Sequence, residues 1–332
     1  MAFIGGGYDA AHEDTTPAGT DTSGRAVYVV DITNGNRIWS YSNMTYCVPG
    51  DITTIDSFPQ GALSGDGLID RLYVGNVGGE IWRFDLCTST TGACVPDMSN
   101  TGNWTGKRIF TGSGKIFYPP DVSFENSRPG ACNTMAFSGT YNMLFFGTGD
   151  REKPNNQSSG NRLYAVKDYD ILPNPFTTIP ESCLTDVTSY GTSLGTLQSS
   201  MGWYIRLNRT NGTNPNPGEK STGQAVALGG AVYYTTFTPT SETSACTIGT
   251  GSGNIYILQY QTGMAFFDLD GNLVNEPKDR SINVVAGLPS GIIVAVINGS
   301  SVNLYGGVPD GVIPPKSSVE KAIVPIDWKI DF

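Results

Sequence analysis

The stretch SGDGLIDRLYVGNVGGEIWRFDL, residues 64–86, decides the fold. From Arg71 onward apolar and polar residues alternate, first in RLYVGNV and, after the Gly78-Gly79 break, in EIWRFDL. A period of two, rich in Val, Ile, Tyr, Phe and Trp and broken by two glycines, predicts two strands joined by a tight turn. The same texture recurs in RAVYVVDI, NMLFFGTG, NRLYAVKD, AVYYTTFT, NIYILQY and IIVAVIN, each bounded by Gly, Asn, Asp or Pro. No long segment keeps a period of 3.6, so helix is expected to be minor.

The runs also come in pairs. A strand, a turn and a second strand, often carrying Trp or Tyr, appear in VYVVDITNGNRIW (residues 27–39), LYVGNVGGEIWRFD, LFFGTGDREKPNNQSSGNRLYAVKD and, more faintly, AVYYTTFTPTSETSACTIGTGSGNIYILQY. These units are about 50 to 80 residues apart, where regular propeller blades take about 40–50. The expected architecture is all-β: a β-propeller of irregular blades, with long insertions at 10–24, 87–104, 153–160 and 173–200. The strands suffice for roughly four to six blades, and the propeller is expected to be incomplete in this chain. A β-sandwich also explains the alternation, but not the recurring strand–turn–aromatic unit.

With 332 residues, 42 Gly, 20 Pro and only 15% charged side chains, the composition suits short strands and tight turns. Twenty basic against 30 acidic residues leave a net charge of −10, which repels phosphate backbones and argues against nucleic acid as a partner. The single histidine, His12, lies in the polar stretch DAAHEDTTPAGTDTSG and reads as a solvated loop residue, which removes Ser-His-Asp and Cys-His catalysis. Six scattered cysteines without a CxxC pair suit an oxidising compartment. Cys87 and Cys94 bracket TSTTGA, a segment able to turn back on itself, and read as a disulfide-closed hairpin; the pairing of Cys47, Cys132, Cys183 and Cys246 stays open. The sequence predicts neither a membrane helix nor a signal peptide.

Eight segments in order resemble a known family: FIGGGYD, RAVYVVDITNG, GDGLIDRLYVGNVGGEIWRFDL, FYPPDV, FGTGDREKP, NRLYAVKD, GWYIRL and YYTTFTP…CTIGTGSGNIYIL. Together they are similar to the C-terminal β-propeller of the PilC/PilY proteins, tip-associated biogenesis factors and adhesins of bacterial type IV pili. The resemblance covers residues 3–328. It implies a non-enzymatic role in pilus assembly, in opposing retraction and in surface attachment, with an extracellular location at the pilus tip or outer cell surface after export through the periplasm. Implied partners are minor pilins, a surface ligand, and either the N-terminal part of the same protein or a companion chain completing the propeller. The family's N-terminal propeller portion, von Willebrand A-like region and signal peptide have no counterpart in this chain.

The family's propeller carries a nine-residue calcium loop, Asp-x-Asp/Asn-x-Asp-Gly-x-x-Asp. Laid on this sequence, Asp66, Gly67, Leu68 (through its carbonyl) and Asp70 occupy positions 5, 6, 7 and 9. Position 3 is the neutral Ser64, and position 1 is Ala62, which offers no side-chain oxygen. Calcium takes six to eight oxygens, so the match is half present. The loop is either a degenerate calcium site or a turn in which Asp66 caps Gly67. A second acidic stretch, DLDGNLVNE (residues 268–276), has its glycine displaced from the calcium-loop position and reads as an Asp-Gly hairpin between strands.

Two rival functions share the fold. VYVVDITNGNRIW also resembles the repeat of quinone-dependent propeller dehydrogenases, but those carry adjacent cysteines over the cofactor, and no two cysteines here are adjacent. A cell-surface carbohydrate-binding propeller is the other. Trp39 and Trp82 read as packing between blades. In GTGDREKP (residues 147–154), Asp150 and Arg151 read as an ion pair pinning a blade loop, and GTGSGN (residues 249–254) as a glycine turn.

Overall fold

A computed structural model describes residues 1–10, 20–56, 68–86, 100–126, 128–157, 160–169, 178–189, 197, 199–207, 217–240, 251–269, 271–272, 274, 276–289, 291–297, 301–308 and 311–312. His12, Ser64, Asp66, Cys87, Cys94 and Cys246 lie outside the described residues, as do parts of all four expected insertions.

All eight runs of alternating residues form strands, and helix is limited to short turns such as Thr101–Asn103, Glu181–Cys183 and Pro277–Arg280. Among the described residues the strands group into five successive sheets and one small two-stranded hairpin. Sheet 1 holds Ala2–Gly5, Val27–Val30 and Arg37–Tyr41. Sheet 2 is the meander Thr53–Ile55, Arg71–Gly75, Glu80–Asp85 and Thr105–Thr111, and sheet 3 the meander Asp121–Glu125, Tyr141–Gly147, Arg162–Tyr169 and Gly202–Arg206. Sheet 4 is built on Ala231–Pro239 and Gly251–Gln259 with Ser281–Ala286 at one edge, and sheet 5 on Ile292–Ile297 and Ser301–Val308. Antiparallel meanders following one another along the chain are the connectivity of propeller blades.

The Gly78-Gly79 break is a tight turn, and each glycine has its own reason. Gly79 sits at φ +75°, a left-handed conformation that glycine adopts without penalty. A Cβ on Gly78 would fall 1.9 Å from the Tyr46 ring, so only glycine lets that ring cover the turn. Asn76 completes it, its side-chain oxygen accepting from the amides of Gly78 and Glu80 at 3.0 and 3.1 Å.

The segments leading into sheets 2, 3 and 4 are clipped to the sheet before by a recurring hydrogen bond. The amide of Val48 donates to the Gly24 carbonyl (3.0 Å), Ile116 to Asn76 (3.1 Å) and Ser221 to Thr148 (3.0 Å). One residue earlier, the carbonyls of Cys47 and Lys115 accept from Val77 (3.2 Å) and Gly149 (2.9 Å) in the following hairpin turn. This backbone repeat is what the irregular sequence spacing conceals.

Aromatic side chains fill the gaps between sheets. Trp39 and Tyr41 of sheet 1 pack on Phe84 and Trp82 of sheet 2, with Trp104 alongside, as expected for Trp39 and Trp82. Phe110 of sheet 2 meets Phe146 and Tyr164 of sheet 3 edge-on, at 5.6 and 5.1 Å between centroids. Between sheets 3 and 4, the Tyr234 hydroxyl donates to the Tyr164 carbonyl and Trp203 Nε1 to the Tyr260 carbonyl, each at 2.9 Å. Each fully buried aromatic contributes about 1.5–3 kcal/mol before side-chain entropy is subtracted.

A clasp runs along the outer edges. Ile179–Pro180 adds a parallel strand to Thr105–Thr111 of sheet 2, and Thr185–Asp186 adds one to Gly202–Arg206 of sheet 3. The next residues reach sheet 4, where Arg280 donates to the carbonyls of Val187 (2.5 Å) and Thr188 (2.8 Å). Within the clasp, Cys183 is disulfide-bonded to Cys132 of the small hairpin Gly130–Cys132/Met135–Phe137, across 51 residues. Cys47 is a buried free thiol that accepts a hydrogen bond from the Asp9 amide; burial pushes its pKa up to about 12, which makes it unreactive.

Two readings are corrected. The described residues of 268–276 form no strand hairpin: Asp268 Oδ1 accepts from the Gly271 amide (2.8 Å), Asn272 Oδ1 from Val274 (2.8 Å), and a capping box between Glu276 and Asp279 opens the turn Pro277–Arg280. These side chains satisfy the backbone locally, so no strand partner is needed. The last four residues of GTGSGN are the start of strand Gly251–Gln259 instead of a turn, and the Phe237 ring lies 2.2 Å from where a Cβ on Gly251 would be.

The double variant Cys132→Ser/Cys183→Ser is expected to lose about 2–4 kcal/mol on the loop-closure account, read as a lower urea midpoint. An unchanged midpoint would mean that strand pairing alone holds the clasp.

Candidate functional site

The half-matched calcium loop connects Thr53–Ile55 to Arg71–Gly75, and the described residues include its last part. Leu68 is 51% exposed, whereas Asp70 is buried. The Asp70 amide donates to the Ile55 carbonyl at 3.2 Å, and its own carbonyl accepts from the Leu86 amide at 2.8 Å. Asp70 is thereby built into the base of the hairpin, with Leu68 at the surface two residues before it. Ser64 and Asp66 lie outside the described residues. The donor chemistry does not fit a complete calcium loop, because Ala62 supplies no side-chain ligand and Ser64 no charge. Among the described residues, no three His, Cys, Asp or Glu side chains gather as a metal set.

The strongest electrostatic feature lies one strand further in. Register places Arg71 opposite Asp85 and Tyr73 opposite Arg83 in sheet 2, and Asn142 opposite Asp168 in sheet 3. These cross-strand pairs face one another across the gap between the sheets. Arg71 Nε lies 2.8 Å from Asp85 Oδ1, and Arg83 Nε lies 3.0 Å from Asp85 Oδ2. Arg83 Nη1 donates to both Asp168 oxygens, at 2.9 and 3.0 Å. The Tyr73 hydroxyl donates to Asp168 Oδ2 at 2.6 Å and accepts from Asn142 Nδ2 at 2.9 Å.

All of these side chains are buried. Burial pushes the Asp85 carboxyl upward, but Arg71 and Arg83 outweigh it and hold the group below the ordinary carboxylate range. Burial likewise opposes the charge on Arg83, and Asp168 with Asp85 outweighs that, keeping the guanidinium protonated. For Tyr73, burial and then the Asp168 charge both push the phenol well above its ordinary value. Lys107, paired with Arg83 in register, is lowered to about 8 by burial and then by Arg83. Two arginines and two aspartates balance, so the cluster is a neutral lock.

At the turn end of the sheets, Asp150 pairs with Lys115 of the segment leading into sheet 3 (2.9 Å) and not with its neighbour Arg151. The Arg151 guanidinium instead lies over the Tyr118 ring, 5.8 Å from the centroid. The loop is pinned as expected, by a different cation. Lys220, in the segment leading into sheet 4, donates to the carbonyls of Lys153, Pro154 and Asn156 and so holds the same loop from the other side.

Sequence reasoning found Asp150, Arg151 and Asp70 but missed Arg71, Arg83, Asp85 and Asp168. Their signal was present as charges inside otherwise apolar strands, RLYVG, EIWRFD and RLYAVKDY. Period-two alternation does not by itself tell such residues from those of a solvated face.

No protein-family model matches the chain. A curated protein described as a type IV pilus biogenesis factor PilY1 homolog, from Xylella fastidiosa, is 23% identical over 300 residues, covering 80% of this chain and 18% of that protein. The crystal structure of the Pseudomonas aeruginosa PilY1 C-terminal domain matches with a TM-score of 0.54 at 16% identity, over 88% of this chain and 66% of that one. The chain thus spans less than a fifth of the curated relative, and both comparisons arrive at the family that the eight segments resemble. The fold is all-β and propeller-like, as in the PilY1 C-terminal domain.

Asp168→Ala is expected to cost about 3–5 kcal/mol in chemical denaturation, because it strands the Arg83 charge and the Tyr73 hydroxyl in the interior. The double variant Arg83→Met/Asp168→Leu, which leaves Arg71 and Asp85 as a balanced pair, is expected to be more stable than the single one. Equal losses would show that packing, and not the uncompensated charge, sets the cost.

Proposed function

We propose that this chain serves type IV pilus biogenesis as a non-enzymatic, exported propeller segment that works by binding other proteins. The observation that carries the reading is the agreement of two independent likenesses, one in sequence and one in fold, on PilY1. The interior supports it: the buried charges of sheets 2 and 3 are committed to one another and not to a substrate. The Cys132–Cys183 disulfide suits an oxidising, extracytoplasmic location at the pilus tip or outer surface. Among the described residues, no helix is long and apolar enough to cross a membrane. Partners on this reading are minor pilins and the N-terminal portion of the same protein or a companion chain. The roles are assembly, opposition to retraction, and surface attachment.

Deleting the coding segment in the producing cells is expected to abolish surface pili while pilin is still synthesised, with piliation restored by complementation. Unchanged pili and surface motility would overturn the proposal.

We infer further that the loop at Ser64, Asp66, Leu68 and Asp70 acts as a turn and not as an ion site, on its donor chemistry. Thermal melts in excess calcium and in excess chelator are then expected to coincide, for the wild type and for Asp66→Ala alike. An ion at 100-fold excess over its dissociation constant would add about 2.7 kcal/mol. A shift of that size, lost in Asp66→Ala, would establish calcium binding instead.

A further inference from the structure

The segments leading into sheets 3, 4 and 5 converge at one end of the molecule around a cavity of about 440 Å³. Tyr118 comes from the first, residues 220–224 from the second and Leu288, Pro289 and Gly291 from the third, while Asp150, Arg151 and Pro154 close one side. The close approach depends on Gly223, where a Cβ would fall 2.7 Å from Thr235 Oγ1 and 3.0 Å from the Gly291 Cα.

The charges around this cavity are unequal. Asp150 pairs with Lys115 at 2.9 Å, and Lys220, fixed by three loop carbonyls, shares that same carboxylate's field, so two lysines face one aspartate. Arg151 is exposed and makes one described contact, with the Tyr118 ring. At 5.8 Å from the centroid the guanidinium is within cation–π range of the ring, a contact made through its face that leaves its N–H edge for a carboxylate, which such an edge binds through two parallel hydrogen bonds. Beside it lie Pro154 and Leu288, the latter 53% exposed. Thr222 lines the same cavity, and its hydroxyl is buried with no hydrogen-bond partner among the described residues.

We propose that this cavity binds a carboxylate carried on a partner peptide next to an apolar side chain, with Arg151 taking the carboxylate and Leu288 the apolar group. The carboxylate comes either from a chain terminus or from an Asp or Glu side chain. A phosphate ester fits less well, since its charge of about −1.5 to −2 would exceed the one open guanidinium and face Asp150. The site stands on these residues alone and does not depend on the role in pilus biogenesis.

The test titrates the purified chain with three probes, by calorimetry or by methyl shifts at leucine: acetyl-Ala-Ala-Leu with a free carboxylate, the same peptide as its amide, and acetyl-Asp-Leu amide. A carboxylate probe is expected to bind and the Ala-Ala-Leu amide not to. Binding of the free acid alone assigns the chain terminus, and binding of the Asp peptide alone assigns the side chain. Arg151→Gln is expected to weaken binding about tenfold, Arg151→Lys less, and Leu288→Ser measurably, while Arg37→Gln on sheet 1 changes nothing. Should Arg151→Gln lower the melting midpoint, Arg151→Lys and Leu288→Ser carry the comparison. No binding by any probe, equal binding by all three, or full binding by the Arg151 and Leu288 variants would overturn the proposal.

Discussion

Asp168 holds the middle of the molecule together because the strand that carries it has no solvated face. In stacked blades the central strands are covered on both sides, so a charge on either face must find its counter-charge in the next sheet or lose its hydration uncompensated. Asp168 meets Arg83 through two hydrogen bonds and Tyr73 through a third. Arg83 shares Asp85 with Arg71 on its own sheet. Desolvating four charges offsets much of their mutual attraction, so the lock adds little net stability compared with an apolar packing of the same volume. Its larger effect is on alternatives. A slip of one residue in either sheet would turn these side chains to the opposite face and leave each charge facing hydrocarbon. The network therefore fixes which sheets are neighbours and in what register.

Around that junction the backbone repeats while the side chains diverge. Cys47, Lys115 and Lys220 occupy the same place in the segments leading into sheets 2, 3 and 4, and all three are buried. Cys47 accepts from an amide, Lys115 pairs with Asp150, and Lys220 ties down three carbonyls. One hydrogen-bond clip thus carries three chemistries. The clasp of residues 179–188 adds a restraint outside the repeat, joining sheets 2, 3 and 4 along their outer edges. Its disulfide closes a loop that includes two central strands of sheet 3.

The strands were legible in the sequence because β-branched and aromatic residues alternate over short runs between turn formers, as in RLYVG and EIWRFD. The blade order was legible from the repeated strand–turn–aromatic unit. The buried charges were not, since alternation gives the parity of a residue and not whether its face meets water. Arg83 and Asp85 have the same sequence texture as an exposed pair. The Cys132–Cys183 link was hidden for a related reason: it joins an inserted hairpin to a clasp, and neither belongs to the repeat. At Asp268 the local side-chain hydrogen bonds prevailed over the hairpin that Asp-Gly suggests. Part of the candidate ion loop was legible as a deficit, because Ala62 has no side-chain oxygen to offer a cation.

A scaffold whose central polar residues are committed to packing leaves the turn ends as the place where chemistry can vary. The net charge of −10 disfavours an anionic partner at long range. Its reach is limited, however, since the Debye length at physiological ionic strength is about 8 Å, and exposed charges farther away are largely screened. At the mouth of the cavity the near charges decide, and they are Arg151 and Lys220 against an Asp150 already paired with Lys115. Long-range repulsion slows the approach of an acidic segment, while contact with a pre-oriented guanidinium slows its departure. Recognition of that kind depends on a rigid loop more than on surface charge, and the carbonyls gripped by Lys220 supply the rigidity.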